Sequence, residues 1–467
     1  MKPVLSWLAD NYSRLTKDLA ELVAIQGIST DGQHEKELDL SAKAIARQMK
    51  QAGLRSVQCL RFGDSYPYVY GEWRGAPDKP TVFLYSHHDV QPVAGFEDDW
   101  ESDPWTLTSR GGRLYGRGSA DDKGAVTAQL ASIEAYLKTV GSLPVNVKML
   151  VEGEEEVGSR NLMGFFKEYC ELLESDVIVV NDTENLEVGL PSITYALRGI
   201  VAVEVEVEAL KRPVHSGMGG GLLPDAAIAL NAILARLYWG DKKLPIPGFY
   251  DKVRKLTAAE RKAYAKLPVD DKKLRGDAAM LPGSQWASFK GVGPYEQTWR
   301  WPAVTVIAQE ASSFKSASNQ VLPKARALVS CRIVPDMDPQ ETEQQLIDYL
   351  SKDPPWGVRV KVTPRKPHVK WWMTDPTGPA FEAAMAAMKA GFKRDPVAIG
   401  CGGTIGFVGP LAELFGGAPA LLLGIEDPRS NAHAPNESLH EGDWKKLMAS
   451  LVHLYNNLGN LPDGKVK

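Results

Sequence analysis

Apolar positions recur at helical spacing from Leu5 to Ile25, and the run Thr81-Val82-Phe83-Leu84-Tyr85, bounded by Pro80 and Ser86, reads as a buried strand. The pattern then predicts a helix over 124–140, a strand over 145–151, a helix over 162–173 and another buried strand over 176–180. Strands and helices alternating at this spacing need crossover connections, which set neighbouring strands parallel. Near Arg198-Gly199 the pattern changes. Ile200 to Ala209 alternates apolar and polar with period two, the mark of a strand with one solvated face. Beyond it the sequence predicts a helix over 225–238, a long tryptophan-bearing irregular stretch to Trp301, a strand over 325–334 and a helix over 339–350. Further strands are expected over 357–363 and 368–372. From Phe381 the buried texture returns, with a helix to Phe392, an apolar strand over 418–423 and a closing helix over 444–458.

The expected fold class is therefore α/β. A mostly parallel-sheet domain, 1–196 and 373–467, is interrupted by a smaller α/β layer over 197–372 with a largely antiparallel sheet. The 467 residues leave room for two or three domains of about 150 residues. Composition adds mainly exclusions. With 44% apolar and 24% charged residues the chain reads as globular. Its net charge of −4 offers no basic surplus for a nucleic-acid backbone, so no nucleic-acid partner is expected. No apolar run approaches the roughly 20 residues that would cross a bilayer, and Asp10, Lys17, Asp18 and Glu21 fall where a secretory signal would stay apolar. A cytoplasmic protein with no membrane partner is expected. Cys59, Cys170, Cys331 and Cys401 form no Cys-x-x-Cys pair and read as isolated buried thiols.

The chemistry-bearing residues fall just after predicted strands, where an open α/β sheet places its ligand crevice. They are Ser86-His87-His88-Asp89, the stretch Gly116–Gly124 with Asp121 and Asp122, Glu152–Ser159 with Glu154, Glu155 and Glu156, Asp182, and Asn431–Glu437 with His433. Each alone has a plain reading as a solvated loop or, for Asp122, a helix cap. Converging on one sheet edge, His87, Asp121, Glu156, Asp182 and His433 instead match a site for two divalent ions with nitrogen and oxygen ligands. His87 and Asp89 could form an imidazole–carboxylate pair, though an i, i+2 pair needs a turn to touch. His34, His368, His440 and His453 read as surface or packing residues, and His88 as support. Trp286, Trp299, Trp301, Trp371 and Trp372 read as packing of the inserted layer rather than a substrate cage.

Taken in order, Ser86–Val93, Leu114–Gly124, Glu152–Ser159, Asn181-Asp182, Ile193–Gly199, Val214–Gly217, Cys331–Pro335, Gly402–Gly406 and Asn431–Glu437 resemble the M20 metallopeptidase family, especially its dipeptidase branch of cytosolic nonspecific dipeptidases and carnosinases. The resemblance implies that His87, Asp121 and Asp182 hold one ion and that Asp121, Glu156 and His433 hold the other. Asp89 would orient His87, and Glu155 would be the general base that takes a proton from a bridging, metal-activated water. The inserted layer would be a lid and dimer interface, with His215 stabilising the oxyanion in the partner's site. Arg332, Asn319, Gly403 and Thr404 would bind substrate. The implied activity is hydrolysis of the amide bond of dipeptides or similar small peptides; an N-acyl amino acid deacylase or a carboxypeptidase would use the same core. Zinc is the favoured ion, with manganese or cobalt as the other candidates.

Two departures stand out. The position before the Gly402-Gly403-Thr404 turn, a glutamate in the dipeptidase pattern and thought to meet a free α-amino group, is Cys401 here. Around Asn319-Gln320-Val321-Leu322-Pro323 the spacing shifts, so Asn319 and Gln320 compete for the substrate-facing role.

Overall fold

A computed structural model describes residues 1–238 and 243–466. Its largest sheet has nine strands. At the centre Asn146–Glu152, Thr81–His87, Val177–Glu184 and Ala420–Glu426 lie side by side in that order, all parallel. Tyr68–Trp73 and then Arg55–Leu60 extend one margin antiparallel. On the other margin Ser192–Leu197 runs antiparallel to Ala420–Glu426, and it pairs with Val397–Cys401 and Trp372–Met373. The parallel arrangement expected from the crossovers thus describes the centre of the sheet. The margins are mixed: Val397–Cys401 runs parallel to Ser192–Leu197 while the other marginal pairs are antiparallel, as the short connection 61–67 requires of Arg55–Leu60 and Tyr68–Trp73.

Both faces of the centre are covered, which is why its strands read as unbroken apolar runs. Val82 and Leu84 enter one core cluster, while Phe83 and Tyr85 enter the other. The helix Lys123–Thr139 is buried without interruption from Lys123 to Tyr136, packed between the sheet and the helices Lys2–Asp10, Tyr12–Val23 and Glu441–Gly459. A separate antiparallel sheet runs in the order Ala303–Glu310, Lys324–Ile333, Gly199–Glu208, Arg359–Val369. Gly199–Glu208 keeps the predicted period of two: Val201, Val203, Val205 and Val207 face a second core, under the helices Ala226–Ala235 and Pro339–Ser351.

Several boundaries differ from expectation. The first helix breaks at Asn11, and the helix over 162–173 is two short ones, Leu162–Glu168 and Cys170–Leu173. The irregular stretch, part of which (239–242) lies outside the described residues, carries the short helices Ala258–Tyr264, Asp271–Asp277 and Pro294–Arg300. The strand Ala303–Glu310 was not expected: it lies at a sheet edge with most of both faces exposed, which removes the alternation, although its Val304-Thr305-Val306-Ile307 run is rich in β-branched residues. Of the four thiols only Cys331 is buried as expected; Cys170 and Cys401 are half-buried, Cys59 is exposed, and no disulfide joins them.

Candidate active site

The parallel strands end at one edge of the sheet, and the acidic and histidine segments gather there. His87 closes its strand with Nε2 2.9 Å from Asp121 Oδ1. His433 Nε2 stands 2.9 Å from the other oxygen of Asp121 and 3.1 Å from Glu156 Oε2. Ligand atoms of His87, Asp121 and Asp182 lie within 4.8 Å of one another, and so do those of Asp121, Glu156 and His433. The five residues singled out as metal ligands therefore form two triads that share Asp121.

Backbone amides hold the cluster in place. Asp121 sits in the turn before the buried helix, and Glu437 fixes that turn by accepting hydrogen bonds from the amides of Gly118, Ala120 and Asp121 (2.9, 2.9 and 3.1 Å) and from Arg117 Nη1 (2.7 Å). Asp122 occupies the cap position without capping. Its carboxylate instead accepts from the His87 amide at 3.1 Å. Asp89 accepts from the amides of Glu155 and Glu156 (3.1 and 3.0 Å) and from Ser29 Oγ (2.6 Å). The touch between His87 and Asp89 is chiefly to the Asp89 carbonyl oxygen, 3.0 Å from His87 Nδ1, with the nearer carboxylate oxygen at 3.5 Å. Asp89 thus braces the acidic turn as well as the imidazole. Glu154 accepts from Tyr68 and Asn161 and so anchors the far side of that turn.

The electrostatics fit a site made for cations. Burial, then the charges of Glu156, Asp121 and Asp89, push Glu155 up to about 8 against the pull of His87. Burial likewise raises Glu156 and Asp182. His433, 57% exposed, is raised to about 11 by its bonds to Asp121 and Glu156. Crowded carboxylates that resist ionisation, arranged with two imidazoles, are a donor set that divalent ions satisfy. Metal ions bound there would reverse the field at Glu155 and favour its ionised form.

A cavity of about 760 Å³ opens on the cluster, with Asp121, Glu155, Asp182 and His433 in its wall. Arg332, Gly403 and Thr404 line the same cavity. Arg332 Nη1 donates to Thr404 Oγ1 (2.6 Å), which donates to the carbonyl of Arg198 (2.6 Å), and Arg198 Nε donates to Gly402 O (3.0 Å). Trp286 and Trp299 also reach the cavity wall, beyond the packing role expected of them. His215 and Asn319 do not line it. His215 is exposed on a two-stranded ribbon where it faces Gln320, and Asn319 directly precedes that partner strand. Asn319 is exposed, with its carbonyl accepting from the Ser216 amide. His34, His368 and His440 form local pairs with Asp31, Glu343 and Asp443, and His88 packs beneath the site with Nε2 3.0 Å from the Pro67 carbonyl.

Sequence reasoning passed over Glu437, Arg198, Glu184 and Glu426, the last two also in the cavity wall. Glu437 had a signal, since it closes the Asn431–Glu437 segment that supplies His433.

Among the described residues no helix is long and apolar enough to cross a membrane. Over 437 residues the chain is 30% identical to a cysteinylglycine-S-conjugate dipeptidase of Corynebacterium striatum, covering 92% of each chain. It is 30% identical over 396 residues to a beta-Ala-His dipeptidase of Rattus norvegicus, covering 82% of this chain and 78% of that one. The crystal structure of human carnosine dipeptidase 1 superposes with a TM-score of 0.87 at 26% identity, over 98% of this chain and 99% of that one. Residues 83–457 match peptidase family M20/M25/M40, and the chain belongs to that family.

Proposed function

We propose that this chain hydrolyses the amide bond of dipeptides, with His87, Asp121 and Asp182 holding one divalent ion and Asp121, Glu156 and His433 a second. The observation that carries this reading is the pair of triads sharing Asp121, with Glu155 beside them in the wall of one cavity. Two ions there, zinc by preference with manganese or cobalt also suited to the donors, would supply a nucleophile from solvent at neutral pH and polarise the substrate carbonyl. Glu155 accepts the proton of the attacking water and returns it to the leaving nitrogen. Asp89 keeps Glu155 and His87 in position through the contacts described above. Arg332, seated on Thr404 beside Gly403, meets the C-terminal carboxylate of the substrate, for which a guanidinium has matching geometry.

His215 and Asn319 enter this reading through a second copy of the chain, with 197–372 as the lid and dimer layer. The edge strand Ala303–Glu310 exposes Val306 and Ile307, and Met218, Leu222 and Ile228 are exposed near His215. An open, partly apolar strand edge is a surface that a partner covers. The partner's ribbon would then bring its His215 to the carbonyl oxygen that gains charge. The free thiols accord with a reducing, cytoplasmic compartment.

The test is hydrolysis of dipeptides by protein stripped of metal and then reloaded with zinc, manganese or cobalt. Turnover should vanish on stripping and return with two ions per chain. Turnover that persists in metal-free protein would overturn the reading.

A further inference from the structure

Outside the triads and Glu155, five carboxylates line the cavity: Glu184, Glu187, Asp270, Asp277 and Glu426. Three are matched. Glu187 pairs with Lys273 and Arg394, Asp270 accepts from the Lys273 amide, and Asp277 lies 3.9 Å from Arg429. Glu184 and Glu426 have neither a hydrogen bond nor a cationic side chain as partner among the described residues. The contrast with the next residue is sharp, because both terminal guanidinium nitrogens of Arg113 hold the Asp427 carboxylate (3.2 and 2.9 Å). Glu426 is only 8% exposed, and its main-chain carbonyl is spent on the Asn185 amide.

Strand register brings the two acids together. Glu184 and Glu426 are directly paired positions on neighbouring parallel strands, after a slip of one residue between Gly424 and Glu426. Glu184 also lies two residues beyond Asp182, a step of roughly 7 Å along the strand, and both line the cavity. Cys401, whose thiol accepts from the Gly403 amide, adds no cation to the neighbourhood. Lys273 and Arg332 are committed to Glu187 and Thr404.

We infer that Glu184 and Glu426 form an ammonium subsite that receives the free amino terminus of the dipeptide. The inference rests on the amide-hydrolase reading above. Two adjacent carboxylates, one of them almost wholly removed from water, carry an unmet cost that a cationic group between them cancels. The amino nitrogen of an N-terminal residue is two bonds from the scissile carbonyl carbon. With the carbonyl at the triads, the step from Asp182 to Glu184 spans that reach plus a hydrogen bond. Three donors from an ammonium also suit two carboxylates better than does a metal ion, which the nitrogen-bearing triads would capture first.

Alanyl-leucine, its des-amino analogue propionyl-leucine and N-acetyl-alanyl-leucine separate the outcomes. Zinc-loaded wild-type protein should favour alanyl-leucine over both compounds that lack the ammonium by about tenfold to a hundredfold in kcat/KM, the range for a hydrogen-bonded charge. The double variant Glu184→Gln/Glu426→Gln should lose that preference, mainly through KM, while elemental analysis still finds two ions per chain. Glu184→Gln alone, at the position open to the cavity, should show part of the loss and keeps the test available if the buried change impairs folding. Retention of the full preference in the variants would overturn the subsite. So would loss of an ion with the preference, or equal cleavage of propionyl-leucine by the wild type. Cleavage of none of the three compounds would overturn the amide-hydrolase reading and the subsite with it.

Discussion

The Glu437 carboxylate accepts a hydrogen bond from the backbone amide of Asp121 at 3.1 Å, tying the residue shared by both triads to the segment that carries His433. One carboxylate so bound to three amide donors of a single turn and a guanidinium behaves as part of the scaffold. Replacing it should therefore act on the metals rather than on the reacting atoms. Glu437→Gln should weaken metal affinity about tenfold to a hundredfold, as for other groups that hold ligands in place. Competition against a chelator, with circular dichroism to confirm the fold, measures this.

Glu155 is within the cavity but in neither triad. Glu155→Gln should keep two ions per chain by elemental analysis and lose more than about a hundredfold in kcat, within the range for a general acid–base group. Near wild-type turnover would remove Glu155 from the mechanism.

If His215 serves the partner's site, two dead variants should rescue each other. Mixing His215→Ala with Glu155→Gln and allowing subunits to exchange places one intact site in each mixed dimer. Random pairing then restores about a quarter of wild-type activity, provided the two-fold assembly exchanges freely. No rescue in exchanged dimers would place His215 outside catalysis in trans.

His88 predicts the pH dependence of stability. Burial holds its imidazole down to about 4 from 6.5. Below 6.5 the unfolded chain takes up a proton that folded His88 refuses, so this contribution is lost progressively as pH falls from 6.5 to about 4. Between pH 7 and pH 5 the wild type should lose about 2 kcal/mol more than His88→Gln, read as the difference in urea midpoints multiplied by the denaturant slope.

Much of this was legible in the chain. The strand-terminal acids and histidines pointed to the two triads because metal ligands must carry particular atoms, and those atoms are written in residue types. The segments of Glu437 and Asp122 were visible but their bracing roles were not, because they bind backbone amides, which every residue has. The Glu184–Glu426 pair was hidden for another reason: its members are neighbours only through strand register. The edge strand Ala303–Glu310 escaped because an exposed strand has no burial alternation to display.

The strand Ala420–Glu426 lies between Val177–Glu184 and Ser192–Leu197, although it is made long after both. During synthesis the gap in the sheet stays open until nearly the whole chain has left the ribosome, and Asp121 lacks His433 and the Glu437 brace until then. A nascent chain halted before residue 420 would present two unfilled apolar strand edges, making it a substrate for chaperones and unable to turn over peptide.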